Sequence, residues 1–241
     1  MRFIWDDEEV ADEPLWRYFN TERFLQLLQT KHLHFPSARQ FNDPFEGAVA
    51  VLPHDWPSDP RYPNLGDGDR AFEELRRLTK VSCWHKADYE SDAMWKLYAA
   101  GRKGVAVRTT TMRLKAALQP FRLAPKYGEE EPFWGNVRYV DPHAVRLRVS
   151  MEQRLFYKHR AFEWEREFRV AISVRGAEEY GVSVPEFGIN VAVAPAILIE
   201  SIHLGPELLP SDAITIQDAC AAIAFPAKPV VSTLLGKPRY A

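Results

Sequence analysis

WEREFRVAISV, residues 164–174, alternates acidic and basic residues with aromatic ones ahead of an apolar run. The pattern predicts a β-strand, in which successive side chains point to opposite faces, so that Glu165, Glu167 and Arg169 share one face. Two carboxylates at this spacing raise each other's pKa, while a neighbouring guanidinium holds one of them ionised. Such a face suits a general base or an electrostatic stabiliser, and it equally suits a structural network of cross-strand ion pairs.

Length and composition indicate one globular domain covering residues 1–241. Hydrophobic residues make up 46% of the chain and charged residues 27%, which excludes a fibrous or wholly disordered protein. Apolar residues are spread evenly, so no domain boundary is visible. The formal net charge of −2 does not indicate a nucleic-acid-binding protein. A nucleic-acid partner is nevertheless not excluded, because Lys158, His159 and Arg160 form a local basic group.

The cysteines and the N-terminal residues predict a cytoplasmic protein. Cys83 and Cys220 lie far apart in the sequence and show neither a disulfide framework nor a zinc-binding pattern. The first residues, MRFIWDDEEVADEP, soon turn acidic and lack the basic and apolar regions of a signal peptide. No apolar run approaches the length needed to span a membrane, so no membrane association is expected.

Helix and strand patterns follow one another without regular βαβ alternation, which predicts an α+β fold. A helix is expected to start at Asn20 or Thr21, with Thr21 as the favoured N-cap. Residues 144–160 fit a longer helix imperfectly. ILIESIHLGP, residues 197–206, reads as a strand, and residues 211–223 read as the last helix. Strand order does not follow from these patterns.

Two loops stand out. FNDPFEG, residues 41–47, predicts a tight turn, because the residue before a proline avoids helical geometry and Asn or Asp caps its own backbone. It either presents Asn42, Asp43 and Glu46 to a ligand or is a self-capped turn pinned by its phenylalanines. Residues 53–69, rich in Pro, Gly and Asp, predict a long loop that is either a lid or a disordered excursion.

No metal site is expected from the spacing of ligand residues. His32 and His34 share one strand face, but no third ligand is evident, and bound zinc normally needs three or four protein ligands. Ser82 or Cys83 together with His85 lacks a nucleophile elbow, so the sequence does not favour a hydrolytic triad there.

Six motifs occur in an order and spacing that resemble the DUF2971 family of bacterial proteins: LWRYF, HLHFPSARQFNDPFEG, VSCW, MWKLYAAGRKGVAV, FYKHRAFEWEREFRV and IESIHLGP. The resemblance spans most of the chain. The chain departs from the family pattern at Phe168, where a tryptophan is usual, and at Arg102, where a histidine is expected. The activity of that family is poorly established, so the resemblance indicates identity better than function.

The layout also resembles ADP-ribosyltransferase-like proteins, which implies a single α+β domain with a mixed or antiparallel split sheet and flanking helices. The resemblance implies that NAD is the co-substrate and that a late glutamate stabilises positive charge as the glycosidic bond breaks. Glu167 is the first choice for that catalytic role and Glu165 the second. By the same resemblance Arg17 meets cofactor phosphate, and Trp95 or Tyr98 stacks on a ring. The residues expected to contact the cofactor are Arg17, Asn42, Asp43, Glu46, Trp95, Tyr98 and Arg169.

The implied partner is a nucleotide or a nucleotide-containing small molecule, and the sequence does not identify a macromolecular acceptor. One alternative is a metal-dependent nuclease or phosphodiesterase, in which Lys158 or Arg169 steadies the phosphate. Its two magnesium ions would be held by Asp43, Glu46, Glu165 and Glu167. Another alternative is a non-enzymatic ligand-binding or sensing module, in which basic residues pair with the glutamates in a buried polar network. Candidate basic residues are Arg17, Lys96 and Arg102.

Overall fold

The computed structural model describes residues 1–9, 11–43, 45–49, 65–126, 128–226 and 228–236, with the backbone alone for residues 65–69. Contacts divide the chain into two units, whose segments alternate along the sequence. Unit 1 comprises Met1–Glu9, His34–Cys83 and Pro120–Asn190. Unit 2 comprises Val10–Leu33, Trp84–Gln119 and Val191–Ala241.

Short strands and helices are interspersed throughout the described chain. The strands are β1 (Arg2–Phe3), β2 (Pro14–Phe19), β3 (His32–Pro36), β4 (Thr79–Lys86), β5 (Val105–Thr110), β6 (Phe133–Asn136), β7 (Arg138–Val140), β8 (Tyr157–His159), β9 (Glu167–Ser173), β10 (Gly188–Ala192), β11 (Ser201–Leu204) and β12 (Val230–Val231). The α-helices are α1 (Thr21–Thr30), α2 (Leu65–Leu78), α3 (Asp92–Tyr98), α4 (Thr111–Ala117), α5 (Met151–Arg154), α6 (Arg175–Glu179), α7 (Pro195–Leu198) and α8 (Pro210–Ala222). Two 3₁₀ helices cover Ala38–Gln40 and Arg160–Glu165.

The sheet of unit 1 has the order β1, β6, β9, β4. β1 runs parallel to β6, and β6 runs antiparallel to β9, with Gly135 opposite Arg169. β7 and β8 form a separate parallel pair. Trp5, Phe133 and Phe156 pack together in the core of this unit, where Trp5 meets Phe156 edge to face. The mixed pairing places the first residue of β9 beside β6.

The sheet of unit 2 has the order β4, β2, β5, β11, β12, to which β4 contributes only its last residues. β2, β5 and β11 pair antiparallel in succession, and β12 lies parallel to β11. Helix α3 covers one face of this sheet, because Trp95 packs edge to face on Tyr18 beside the buried Trp16. The prediction of an α+β fold with a mixed sheet and flanking helices is confirmed. The single domain stays a prediction.

The N-cap of helix α1 lies one residue before the favoured Thr21, so the helix itself begins at Thr21. Asn20, not Thr21, is the N-cap, because its backbone is extended and its side chain accepts a hydrogen bond from the Arg23 N–H at 2.8 Å. The buried face of α1 is apolar, as the helical period requires, and consists of Phe24, Leu27 and Leu28. The helix ends where Lys31 adopts a left-handed backbone conformation with φ of 55°.

The predicted helix over residues 144–160 is wrong. The structure has only the four-residue helix α5 there, and the chain then enters β8. Leu155, Phe156 and Tyr157 are all buried, and a helix with one apolar face cannot bury three successive side chains. The capping box formed by Ser150 and Gln153 starts the short helix.

The boundaries of the last elements also differ from the prediction. The stretch 197–206 is not one strand, because α7 ends at Leu198 and β11 starts only at Ser201. Helix α8 covers Pro210–Ala222, so it starts and ends one residue before the predicted helix 211–223. Proline is favoured at the first helical position because its fixed φ suits a helix and its missing N–H is not needed there.

The predicted loop over residues 53–69 lies outside the described residues up to residue 64. Helix α2 begins at Leu65, so the last five residues of the predicted loop are helical. Glycine in a helix costs only about 1 kcal/mol relative to alanine, and an established helix extends readily by one more turn. Within the described part of the chain, none of the helices is long and apolar enough to cross a membrane.

Gly104→Ala is expected to lower the free energy of unfolding by about 3 kcal/mol, since overpacking against rigid atoms has costs of this order. A Cβ atom at this position would lie 2.0 Å from the Phe19 carbonyl oxygen, a backbone atom of β2 that cannot give way. Urea unfolding measures the change. Gly128→Ala is the matched control, because a Cβ atom there meets nothing within 4 Å. Equal stability of both variants and the wild type would contradict the packing described for β2 and β5.

Candidate functional site

The head of the WEREFR stretch is a turn of 3₁₀ helix, not a strand. Glu165 ends that helix, Arg166 takes a left-handed conformation with φ of 43°, and β9 starts only at Glu167. The predicted strand from Trp164 is therefore wrong at its first three residues, and the predicted shared strand face does not include Glu165. The turn at Arg166 nevertheless brings the Glu165 and Glu167 carboxylates to one ammonium group.

A buried ion cluster in unit 1 consists of Glu46, Lys158, Glu165, Glu167 and Arg169. Its members come from the 41–47 turn, from β8, from the 3₁₀ helix and from β9. All five side chains are buried, with exposed fractions between 1% and 9%. Isolated charges are costly to bury, so such a group is stable only if its members pair with one another.

Arg169 occupies the centre of the cluster. Its Nη1 donates to Glu46 Oε1 and, at 2.6 Å, to the carbonyl oxygen of Leu155. Its Nε donates to Glu167 Oε2 at 2.7 Å. The guanidinium also lies over the Phe41 ring, 5.3 Å from the ring centroid. These contacts fix the guanidinium between two carboxylates and a backbone carbonyl.

Lys158 is the second cation of the cluster. Its Nζ donates to Glu165 Oε2 and, at 2.7 Å, to Glu167 Oε1, and it lies 4.0 Å from Glu46 Oε2. The Phe162 ring covers the ammonium group, with Nζ 4.6 Å from the ring centroid. Both oxygens of Glu167 are therefore hydrogen-bonded to cations.

Three carboxylates face two cations, so the cluster carries one acidic group in excess. Burial raises the pKa of Glu165 to about 7, and the adjacent Glu167 carboxylate adds to the effect. Burial opposes the ionisation of Glu167 as well, but the Arg169 charge outweighs it and holds the pKa of Glu167 well below its usual range. Burial also raises the pKa of Glu46, which Arg169 only partly offsets. The cluster thus keeps Glu167 ionised, whereas burial favours the protonated form of Glu165 up to about neutral pH.

Two further residues support Glu167. The Tyr139 hydroxyl accepts a hydrogen bond from the Glu167 backbone N–H at 2.7 Å. The Cys83 thiol also bonds to the Glu167 carboxylate, and burial raises the pKa of that thiol. Neither residue was predicted from the sequence to contact Glu167, and Lys158 was predicted only as part of a local basic group or as a phosphate contact. The alternation in YKH, which places Lys158 on its own strand face, is the signal that would have identified it.

The 41–47 turn has features of both predicted roles. Asp43 Oδ1 accepts a hydrogen bond from the Phe45 N–H at 2.9 Å, as in a self-capped turn. Asp43 Oδ2 is buried and has no hydrogen-bond partner among the described residues. Glu46 belongs to the ion cluster, and Asn42 is exposed. An unsatisfied buried carboxylate oxygen is rare in proteins and suits a hydroxyl or amide donor from a ligand.

The remaining predicted cofactor residues belong to unit 2. The guanidinium of Arg17 lies over the rings of Phe19 and Trp84, at 5.3 and 5.5 Å from their centroids. Trp95 is fully buried in the core of that unit. Its neighbour Tyr98 is 47% exposed, so of these two rings Tyr98 is the more accessible to a ligand.

Among the described residues no group of three or more His, Cys, Asp or Glu side chains is arranged to hold a metal ion. Two of the acids named for two magnesium ions, Glu46 and Glu167, are paired with the guanidinium of Arg169. Glu165 is paired with the ammonium of Lys158. The described geometry therefore offers the nuclease hypothesis no support.

Comparison with known proteins gives limited similarity. No protein-family model matches the chain, so the resemblance to DUF2971 stays a prediction, and no curated protein matches it. Among solved structures, DarT of Thermus sp. 2.9 in complex with NAD+ is similar at 10% identity and a TM-score of 0.38, covering 93% of this chain and 98% of that one. The same protein in complex with carba-NAD+ is similar at 13% identity and a TM-score of 0.35, covering 92% and 96%. The functional proposal accordingly rests on the residues of this chain.

Glu165→Gln is expected to flatten the pH dependence of stability. The folded state holds a proton on Glu165 up to pH about 7, whereas the unfolded state releases it near pH 4.5. The wild type therefore loses stability as the pH rises from 4.5 to 7, by up to about 3 kcal/mol. Glutamine does not titrate, so Glu165→Gln lacks this loss. Urea unfolding across that pH range measures the loss of stability, and Glu163→Gln, at an exposed neighbouring residue, is the control. Parallel curves for wild type and Glu165→Gln would contradict the assignment.

Lys158→Met is expected to destabilise the protein by about 3 kcal/mol at pH 7.5, because it leaves buried carboxylates without their cation. Lys96→Met is the matched control. Lys96 is exposed and pairs with Asp92 at 2.9 Å, and a surface pair of this kind contributes at most about 0.5 kcal/mol. Chemical unfolding of the wild type and of both variants measures the two losses of stability. Similar losses in both would show that the cluster does not depend on its lysine.

Proposed function

We propose that the protein is an ADP-ribosyltransferase-like enzyme that takes NAD as its co-substrate, with Glu167 as the catalytic carboxylate and Glu165 as its partner. The observation that carries the proposal is the different pairing of the two acids. Both oxygens of Glu167 are bonded by the cations Arg169 and Lys158, which keeps it ionised. Glu165 is bonded by Lys158, and burial raises its pKa to about 7. Neighbouring acids whose environments push their pKa values apart are typical of sites that perform acid or base chemistry.

The cluster holds a fixed carboxylate of the kind that such a reaction requires. Breaking a nicotinamide glycosidic bond develops positive charge on the ribose, and a fixed negative group stabilises that charge without reorganising. Glu167 is fixed through both oxygens by Lys158 and Arg169, and through its backbone N–H by Tyr139. Glu165 carries a proton that it can exchange near pH 7, which suits activation of an acceptor hydroxyl or water.

The 41–47 turn offers an acceptor to a ribose-bearing ligand. Asp43 Oδ2, which has no hydrogen-bond partner among the described residues, can accept a hydrogen bond from a hydroxyl group, and it lies in the same turn as Glu46 of the cluster. Contacts of Arg17 with cofactor phosphate and of Tyr98 or Trp95 with a ring are proposed from the resemblance alone, as are a contact of Asn42 and a bacterial, cytoplasmic setting. The proposed partner remains a nucleotide-containing small molecule.

A non-enzymatic binding module is the second candidate, and one observation favours it. Both oxygens of Glu167 are already engaged, and Arg169 is only 1% exposed, as expected for a network that fixes the start of β9. Such a network is structural when each buried charge has a partner. This candidate predicts ligand binding without turnover.

Glu167→Gln is expected to reduce the release of nicotinamide from NAD by at least about 100-fold, since removal of one preorganised electrostatic group has effects of this size. The assay follows nicotinamide by chromatography for the wild type, Glu167→Gln and the exposed control Glu163→Gln, which should match the wild type. Circular dichroism and calorimetric titration with NAD establish that each variant is folded and whether it binds.

The outcomes separate the two candidates. Nicotinamide release by the wild type that depends on Glu167 supports the transferase. NAD binding by the wild type without release, with water or any added acceptor, supports the binding module. If the folded wild type neither binds NAD nor releases nicotinamide, the proposed co-substrate is wrong.

A further inference from the structure

A second group of chemically reactive side chains lies in unit 2 and is not used by the proposed function. The Nε2 of His203 lies 3.0 Å from Ser201 Oγ, and its Nδ1 lies 3.2 Å from Glu90 Oε1. A serine, an imidazole and a carboxylate are thus connected in series through the two ring nitrogens. A serine activated by a histidine that is oriented by a carboxylate is the arrangement found in nucleophilic hydrolases of unrelated fold.

The fold brings these residues together for simple reasons. Ser201 and His203 are two residues apart on β11, so they share one sheet face. Ser201 and His203 lie opposite Arg108 and Ala106 of β5. These two residues in turn lie opposite Trp16 and Tyr18 of β2, so Trp16 and Tyr18 share the same sheet face. The Trp16 ring accordingly meets the His203 ring edge on, with centroids 4.8 Å apart.

Glu90 is fixed by further hydrogen bonds besides its contact with His203. It precedes α3, and its Oε2 accepts a hydrogen bond from Trp95 Nε1 at 2.9 Å, which leaves Oε1 directed at His203. Ser232 adds a further hydrogen bond, and burial is outweighed by these partners, so that the pKa of Glu90 lies below its ordinary value. An ionised carboxylate on Nδ1 selects the tautomer in which Nε2 accepts the serine proton.

This group is accessible, unlike the ion cluster of unit 1. The side chains of His203 and Glu90 are 18% and 16% exposed, and Ser201 is half-buried. A small reagent can therefore reach the Ser201 hydroxyl, whereas the Trp16 ring restricts the space around the imidazole. This partial exposure of the three side chains fits a substrate with a small acyl group.

We propose that Ser201, His203 and Glu90 form a second catalytic site, which hydrolyses carboxylic esters of small acyl groups. Ser201 Oγ attacks the ester carbonyl carbon while its proton passes to His203 Nε2. The carbon–oxygen bond to the leaving group breaks, and the alcohol departs with that proton. Water then attacks the acyl group on Ser201, again giving its proton to His203, and the carboxylic acid leaves as the serine is restored. Glu90 acts as a positioning residue through the imidazole.

Arg108 is the group placed to stabilise the negative charge on the attacked carbonyl oxygen. It lies directly opposite Ser201 in the β5 and β11 register, so both side chains project from the same face. Its guanidinium pairs with Glu200 at 2.8 Å, yet its side chain is 32% exposed and retains further N–H donors. A positive donor at that position serves the role of an oxyanion-stabilising group.

A fluorophosphonate probe tests the proposal, because it reacts with serines that are activated by a histidine. Peptide mass spectrometry of the labelled full chain should find the adduct on Ser201. Labelling should fall at least 100-fold in Ser201→Ala and in His203→Gln. Ser211→Ala and His32→Gln, at exposed residues of the same unit, should label as the wild type does. Hydrolysis of p-nitrophenyl acetate should follow the same order.

Glu90→Gln separates a positioning role from a structural one. Loss of the carboxylate should move the pH at which labelling reaches half its maximum to lower values, since the protonated imidazole loses its counter-charge. A structural role would change thermal stability and leave that pH unchanged.

Two results would overturn the proposal: an absence of any adduct on Ser201 in the folded wild type, or labelling of Ser201 that is unchanged in folded His203→Gln. The wild-type adduct map decides the question even where a variant fails to fold. NAD plays no part in the assay, so its result is independent of the proposed transferase activity.

Discussion

The sharing of two cations among three buried carboxylates of unit 1 determines the chemistry around β9. Arg169 and Lys158 each donate hydrogen bonds to two acids, so moving either cation removes a hydrogen bond from two buried carboxylates. Buried ion pairs often stabilise no more than apolar residues of the same volume would, because desolvation offsets the attraction. Their effect here is to specify geometry: the strand must begin where Glu167 meets both cations.

That constraint also joins segments that are distant in the sequence. Glu46 belongs to the 41–47 turn, and the carbonyl of Leu155, which follows α5, is bonded to the same guanidinium nitrogen. A ligand that bonds Asp43 in that turn would therefore act close to the cluster through a short, hydrogen-bonded path. The excess acid makes the cluster responsive to protonation, whereas a balanced set of charges would remain inert near neutral pH.

The sequence predicted the α+β class, because strand and helix periods are local properties. The sequence also predicted that Glu165, Glu167 and Arg169 lie close together, since they are neighbours within one short stretch. It failed at the start of β9, because a left-handed residue such as Arg166 has no reliable local signature outside glycine and asparagine. It missed Lys158 as a partner because that residue lies on a strand whose pattern resembled a helix.

The Ser201 and His203 pair shows why a catalytic arrangement is harder to predict than a fold class. Their spacing on a strand is visible in IESIHLGP, but a serine also lies close to a histidine elsewhere in the sequence, as Ser82 does to His85. The distinguishing feature is the third group, and Glu90 is 113 residues away from His203, so only the tertiary fold brings it to Nδ1. Local pattern therefore identifies candidate pairs, and the carboxylate that orients the imidazole is what separates a reactive serine from an ordinary strand residue.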